Sequence, residues 1–386
     1  MTKKKVLILS ASIGTGHTQA ARAVEEYIRT LPEECAVEQL DFLSNDSLSI
    51  DNIVKETYIK ILDVFPMLYD LMYYSSQEQK KGSAVKTLFS WGLKRRMQHI
   101  LEAKKPDVLV CTHPFPAGAA ALLKRQHRMD IPLVGVITDF AIHQLWVYPQ
   151  LDLYCVAASQ LKDELAGYGI DRNKILVSGI PVRQAFQYHR WVHDKAYRQH
   201  KNILIMGGGL GMGSMKEVVQ QLDAVPGFDS FTVVTGYNAD LYDELSAIKG
   251  QLTHPMTVLG YTNQIPELME QASLLVTKPG ALTCTEAATV QVPLLLYKAI
   301  PGQEEANASY MQGKGCAVWV QDAGQLVPTV TELFAHPEKL EAMSKASLTC
   351  HRNGARHIGT KLLQFMYPGE PSQAPVQPAV YVHDTV

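Results

Sequence analysis

The most constraining feature of the chain is a pattern met once near its start and again past its middle: an apolar strand, a glycine loop, then a helix. Val6 to Ser10 runs into Ala11-Ser12-Ile13-Gly14-Thr15-Gly16-His17, and Thr18 to Leu31 follows with helical spacing. Asn202 to Met206 repeats the pattern, with Gly207-Gly208-Gly209-Leu210-Gly211-Met212-Gly213-Ser214 leading to a helix from Met215. A buried strand that turns through glycine directly into a helix opens a doubly wound parallel sheet. Two such openings in 386 residues, more than one core ordinarily serves, predict two domains of roughly 180 residues each.

The intervening sequence keeps to that plan. Strands are expected at Val108 to Cys111, Leu133 to Ile137, Leu153 to Val156 and Ile175 to Val177, with helices at Ala117 to Arg128 and Ser159 to Tyr168. The second half reads as strands at Phe231 to Val234, Met256 to Leu259, Leu274 to Thr277, Pro293 to Tyr297 and Cys316 to Val320, and Leu340 to Met366 finishes it. The domain boundaries follow: 1–183, a polar and aromatic linker over 184–200, then 201–367, with the last helix free to pack back on the first domain. The proline-rich tail 368–386 is expected to be mobile.

Composition excludes several classes. Lys+Arg 36 against Asp+Glu 38 leaves no basic excess for a general nucleic-acid binder. The six cysteines are scattered without a CxxC pair and read as buried thiols, not as a zinc site or disulfide framework. Lysines before the first apolar run imitate a signal peptide, but the run is short and leads straight into the glycine loop, so it reads as a strand. No run reaches the length of a membrane span, and a cytoplasmic protein with at most peripheral membrane contact is expected.

Chemistry concentrates where strands end. His17 stands at a loop-to-helix junction, Thr112-His113-Pro114 follows one strand, Asp139 through His143 follows the next, and Gly179-Ile180-Pro181-Val182-Arg183 closes the half. Each has an ordinary use as well: Asp139 as a cap of the following turn, His113 as an extended residue before proline. The Gly207 to Gly213 loop holds five glycines in seven residues, an entropic cost that close backbone approach to a phosphate would offset. The richest stretch is Val276 to Asn307. There a strand breaks at Pro279-Gly280, a helix opens around Thr283 with Ala281 and Leu282 before it, Glu286 follows, and Pro301-Gly302-Gln303-Glu304 opens a further helix. Free N–H groups at a helix start, then a carboxylate and a polar loop, suit a ligand combining phosphate with many hydroxyls, such as a nucleotide-sugar.

From Ile53 to Glu102 the pattern changes to long helices rich in aromatic and basic residues, including Phe89, Trp91, Lys94, Arg95 and Arg96. Such a stripe serves equally as core packing under a solvated face or as a surface dipping into an anionic bilayer.

The motifs SASIGTGHTQAA, VITDFAIHQLWV, VSGIPVR, VTKPGALTCTEA and PGQEEANA together resemble the lipid glycosyltransferases of family 28 type. That family includes bacterial processive diacylglycerol glucosyltransferases and plant monogalactosyldiacylglycerol synthases, and is similar in turn to the peptidoglycan N-acetylglucosaminyltransferase. The resemblance runs to about residue 365. It implies a GT-B fold, α/β, of two doubly wound Rossmann-like domains facing across a cleft. It also implies no essential metal or cofactor, a UDP-sugar donor held mainly by the C-terminal domain and a diacylglycerol acceptor held mainly by the N-terminal one. By matching position, Glu286 holds the ribose, and Gln303 and Glu304 read the hexose with Asn307 in support; the helix N-termini after the turn at Gly280, Ala281, Leu282 and Thr283 and after the loop at Gly207, Gly208 and Gly209 are expected to take the diphosphate. His17 and Gly16 lie near the acceptor and the reacting centre, and Asp139, His113 and His143 line the same cleft. Where family members often have KPGG this chain has Lys278-Pro279-Gly280-Ala281, and its Gly207 loop is richer in glycine.

Inverting transfer needs a base on the acceptor hydroxyl and a sink for charge growing on the leaving diphosphate. His17 is the preferred base, having an ordinary pKa near neutrality, and Asp139 is the competitor or the partner that orients it. The expectation is a UDP-dependent hexosyltransferase forming β-glycosyldiacylglycerol at an anionic membrane surface, glucose ahead of galactose, with the number of sugars and the oligomeric state open. Three rivals stand beside it: a polyprenyl-linked acceptor, a UDP-sugar 2-epimerase on the same double-Rossmann plan, and a UDP-sugar-sensing module without turnover.

Overall fold

The computed structural model of the protein describes residues 3–11, 15–31, 35–44, 93–188, 200–207, 215–350 and 352–367. Phe89, Trp91, Gly208, Gly209, the aromatic and basic stretch up to residue 92, most of the expected linker and the tail from residue 368 lie outside them.

In the first half the order is β1 (Lys4–Ser10), α1 (Thr15–Arg29), β2 (Cys35–Asp41), α2 (residues 93–104), β3 (Val108–Cys111) and α3 (Pro114–Arg125). It continues with β4 (Leu133–Val136), β5 (Leu153–Val156), α4 (Ser159–Gly167), β6 (Ile175–Val177) and α5 (Gln184–Tyr188). The six strands form one parallel sheet in the order β2-β1-β3-β4-β5-β6. Strands β3, β4 and β5 are buried at every position, as strands covered by helices on both faces must be. The sequence reading missed β2. Its residues CAVEQLD are mostly half-buried on the sheet edge, so they lack the continuous apolar run of the inner strands. α3 starts earlier than the expected Ala117: His113 caps it and Pro114 sits at its first position, where a missing N–H costs nothing.

The second half comprises β7 (Asn202–Met206), α6 (Met215–Leu222), β8 (Ser230–Val234), α7 (Ala239–Ile248), β9 (Met256–Leu259) and α8 (Ile265–Gln271). Then come β10 (Leu274–Thr277), α9 (Ala281–Thr289), β11 (Leu294–Tyr297), α10 (Gln303–Gly313), β12 (Ala317–Val320), α11 (Leu326–Ala335), α12 (Pro337–Ala346) and α13 (Gly354–Met366). Its sheet is also parallel, ordered β12-β11-β10-β7-β8-β9.

The final helix leaves this half and packs on the first. Ile358 and Leu362, both fully buried, join Val6, Ile8, Val24 and Tyr27 in one cluster. Gly359 allows the approach: a Cβ there would lie 2.3 Å from the Tyr27 ring. His357 Nδ1 lies 2.9 Å from the carbonyl oxygen of Ser178, and Asn353 exchanges amide hydrogen bonds with Gln187, so the crossover is fixed on both sides of its bend. All six cysteines are free; Cys35 and Cys350 are only half-buried, and the Cys316 and Cys350 sulfurs lie 3.6 Å apart.

Candidate active site between the two sheets

In open parallel sheets, ligands bind beyond the carboxyl ends of the strands, where the strand order reverses direction. In the first sheet that point lies between β1 and β3, and the chain leaving those strands brings His17, in the first turn of α1, and Thr112-His113. In the second sheet it lies between β7 and β10, and the loops there carry Gly207 and the Lys278-Pro279-Gly280 turn. The two points meet. A Cβ built on Gly16, in the first turn of α1, would sit 3.8 Å from Leu282 Cβ in the first turn of α9.

His17 is held by two hydroxyl residues at strand ends. Its Nδ1 lies 2.8 Å from the carbonyl oxygen of Thr112 and 2.9 Å from Thr138 Oγ1, while Thr112 Oγ1 donates to the His17 carbonyl at 3.0 Å. A carbonyl can only accept, so Nδ1 carries the proton and Nε2 keeps its lone pair. Burial lowers the His17 pKa below its ordinary value, with the Asp139 charge acting the other way, so the ring is a neutral base at pH 7. Burial raises the Asp139 carboxyl, opposed by His17 and by hydrogen bonds from the side chains of Gln303 and Asn307. In sequence Thr112 stands only as a neighbour of His113 and Thr138 has no assigned part, because a threonine after a strand is too common to signal anything until its partner is seen.

Two expected acceptor-site histidines have other work. His113 is buried as the N-cap of α3, its Nδ1 accepting from Phe115 N at 3.2 Å. Burial and the neighbouring His17 push its pKa well below the ordinary value, and the two rings meet edge to face at 4.7 Å. It is a neutral wall behind the base. His143 caps the short turn Gln144–Trp146, its Nδ1 accepting from Leu145 N at 3.3 Å.

On the other side of the cleft, Gly280 is the N-cap of α9 and brings no side chain to occupy the amides that follow. The first bond of the helix runs from Cys284 N to Gly280 O at 2.9 Å, so the N–H groups of Ala281, Leu282 and Thr283 precede it and suit an anion. The helix therefore opens two residues before the expected Thr283. Lys278, beside this turn, has its pKa lowered by burial while the Glu304 charge acts the other way. Glu286 is 8% exposed, and burial pushes its carboxyl up to about 8 in spite of the nearby Arg183 charge. The Arg183 Nε is itself buried without a hydrogen-bond partner among the described residues. Lys278 and Arg183 stood in recognised motifs without a role; the fold places the Lys278 charge near Glu304 and the Arg183 charge near Glu286.

Gly302 takes φ 99°, a conformation that favours glycine, and turns the chain into α10. Glu305 accepts from Gly302 N at 3.0 Å, and Glu304 accepts from Ile300 N at 2.8 Å, so the loop is braced by its own carboxylates. Burial raises the Glu304 pKa. Asn307, expected to support the donor loop, is 1% exposed with both ends of its amide engaged: Oδ1 accepts from Phe140 N at 3.0 Å and Nδ2 donates to Pro279 O at 3.1 Å.

The expected membrane cations divide. Lys94 donates to Gln126 Oε1 at 2.9 Å, and Arg95 is exposed. Arg96 donates to the Ser44 carbonyl oxygen at 2.5 Å, with its guanidinium 5.8 Å from the Phe42 ring centre. Among the described residues no helix is long and apolar enough to cross a membrane, and no group of three or more His, Cys, Asp or Glu could hold a metal ion.

The family described as monogalactosyldiacylglycerol (MGDG) synthase matches residues 17–182, and the glycosyltransferase family 28 C-terminal domain matches residues 202–358. The processive diacylglycerol beta-glucosyltransferase of Bacillus mycoides (strain KBAB4) is 33% identical over 386 residues, covering 97% of this chain and 97% of the relative. Among solved structures, Acinetobacter baumannii MurG superposes with a TM-score of 0.58 at 16% identity, over 94% of this chain and 99% of that one. The MnaA–UDP co-structure from S. aureus does so with a TM-score of 0.63 at 13% identity, over 94% and 97%. Those two show the fold, the two-domain GT-B arrangement expected.

Proposed function

The chain belongs to the family of the processive diacylglycerol beta-glucosyltransferases, and from that premise we propose that it transfers glucose from UDP-glucose to diacylglycerol with inversion. The observation that carries the reading is the meeting of the α1 and α9 N-termini, with Gly16 opposite Leu282. It sets a neutral imidazole with an Nε2 lone pair against the amides that precede the first bond of α9, which are the base and the anion sink that the displacement requires.

The diacylglycerol hydroxyl gives its proton to His17 Nε2 as its oxygen attacks the anomeric carbon, and the anomeric bond to UDP breaks on the opposite face. Asp139 stabilises the imidazolium that forms. Charge on the leaving diphosphate falls on the N–H groups of Ala281, Leu282 and Thr283, with Lys278 on the flank. Glu286 takes the ribose hydroxyls, giving up its proton to do so. Gln303 and Glu304 border the hexose, and Arg183 balances the charge that Glu286 acquires. No step calls on a metal. Each glucosyl group added brings hydroxyls of its own, so the same base can serve a further round, as the name of the Bacillus relative implies for that enzyme. Lys94 and Arg95 on α2 hold the protein to an anionic bilayer, where the acceptor resides.

The test is product identity. Purified protein is incubated with anionic vesicles containing diacylglycerol and, in parallel, UDP-glucose or UDP-galactose, and the lipids are read by mass and anomeric configuration. β-Glucosyldiacylglycerol is the expected product. Product formed only from a polyprenyl-linked acceptor, or donor epimerised at C2 with no glycolipid, would overturn the reading.

A further inference from the structure

Three residues on one face of α10, at positions i, i+4 and i+7, grip a two-residue segment of the other domain. Gln303 and Asn307 donate to the Asp139 carboxylate, and the Tyr310 ring stacks on Phe140 with centroids 4.2 Å apart and planes 12° from parallel. Asn307 also reaches the donor turn, through Nδ2 to Pro279 O at 3.1 Å. Its orientation is not arbitrary. Phe140 N can only donate and Pro279 O can only accept, so Oδ1 must face the first and Nδ2 the second. One buried amide therefore touches the backbone beside the acceptor-side carboxylate, that carboxylate itself, and the backbone of the turn that opens α9.

We propose that Asn307 is a positioning residue that couples the donor turn to the base: it sets Pro279-Gly280 in register with Asp139-Phe140 and never touches the donor. This rests on the transfer reading and deepens it. With Oδ1 on Phe140 N, Nδ2 on Pro279 O and 1% of its surface exposed, Asn307 presents almost no surface to a hexose. What it fixes is the offset between two loops that belong to different sheets and that no strand pairing connects. Diphosphate drawing on the α9 amides pulls the Pro279 turn, and Asn307 passes that displacement to Asp139 and so to the carboxylate facing His17. A base misaligned by about 1 Å loses on the order of a hundredfold in rate while leaving ground-state binding intact.

The test uses the full-length chain, with Asn307→Ala and the isosteric Asn307→Asp. The latter keeps the acceptor for Phe140 N but replaces the donor hydrogens, so it reports the coupling if the alanine variant fails to fold. UDP affinity is measured by calorimetry without acceptor, and kcat with diacylglycerol vesicles at saturating UDP-glucose. UDP affinity within twofold of wild type with kcat about a hundredfold lower is expected in each variant that folds. A tenfold loss of UDP affinity at unchanged kcat would make Asn307 a direct donor contact and overturn the proposal, as would no change in either quantity. Hydrogen exchange at the Phe140 amide gives a readout independent of transfer. UDP slows it in the wild type, and the substitutions abolish that slowing; an exchange rate indifferent to UDP overturns the coupling. Wild-type protein that shows the UDP-dependent slowing but forms no glycolipid supports the coupling and counts against the transfer reading.

Discussion

His17 Nδ1 lies 2.8 Å from the backbone carbonyl oxygen of Thr112, a contact that leaves Nε2 as the only ring nitrogen able to accept a proton. A general base held in this way contributes on the order of 10²–10⁴ in rate, and His17→Ala is expected to lose that much in kcat/KM with little change in UDP affinity. Thr138→Val, which removes a neighbour of the same nitrogen but leaves the carbonyl, should cost far less. Steady-state kinetics with diacylglycerol vesicles separates the two.

The direction of the His17 shift fixes the pH profile. Burial lowers its pKa, so the neutral base persists below the ordinary imidazole range and is lost only when protonated at still lower pH. The kcat profile at saturating UDP-glucose should therefore be flat through neutrality with its acid limb below about 6.5. An acid limb above that value would place the base elsewhere.

Glu286 has the opposite sign. Its carboxyl, pushed up to about 8, is protonated at pH 7 in the unliganded protein. Ribose hydroxyls donate to the carboxylate, so donor binding expels that proton, and affinity should rise with pH up to about 8 and then level. Calorimetry of UDP binding at pH 7 in buffers of different ionisation enthalpy reads the release directly. Glu286→Gln should abolish it and weaken binding by about tenfold, the loss of one charged hydrogen bond.

On the proposed membrane face, the structure separates cations that a sequence groups together. Replacing Lys94 and Arg95 by Gln should weaken binding to anionic vesicles by about 1 kcal/mol per residue, leaving UDP affinity unchanged. Arg96→Gln should instead lower the melting temperature, because it removes the tie to Ser44 and the contact with Phe42. Vesicle sedimentation beside thermal unfolding distinguishes the two effects.

The crossover helix supplies a stability test. Gly359→Ala places a methyl 2.3 Å from the Tyr27 ring, so α13 must shift on α1, at a cost of about 2 kcal/mol. Denaturant unfolding measures it.

The strand and helix flanking each glycine loop, nearly all the inner strands, and the strand-turn-helix course of Val276 to Asn307 were legible because each is a local pattern: a continuous apolar run, a glycine break, a helix start. The edge strand β2 was not, since half-exposure interrupts its apolar run. At the site, His17 and Glu286 were legible from their place after a strand and within a motif. Thr112, Thr138 and Arg183 gained meaning only when β1, β3, β4 and α9 came together. Asn307 shows the limit most plainly. Its motif pointed to the donor, while its partners, Phe140 and Pro279, lie 167 and 28 residues away in sequence and are known only from the fold.

The most direct test of the account is the rate of UDP release from UDP-glucose as the mole fraction of diacylglycerol in anionic vesicles is raised from zero. Release is predicted to begin near zero, to rise and saturate with diacylglycerol, and to match glucosyl-lipid formed mole for mole. Release that is indifferent to diacylglycerol, or that proceeds without glycolipid, would contradict it.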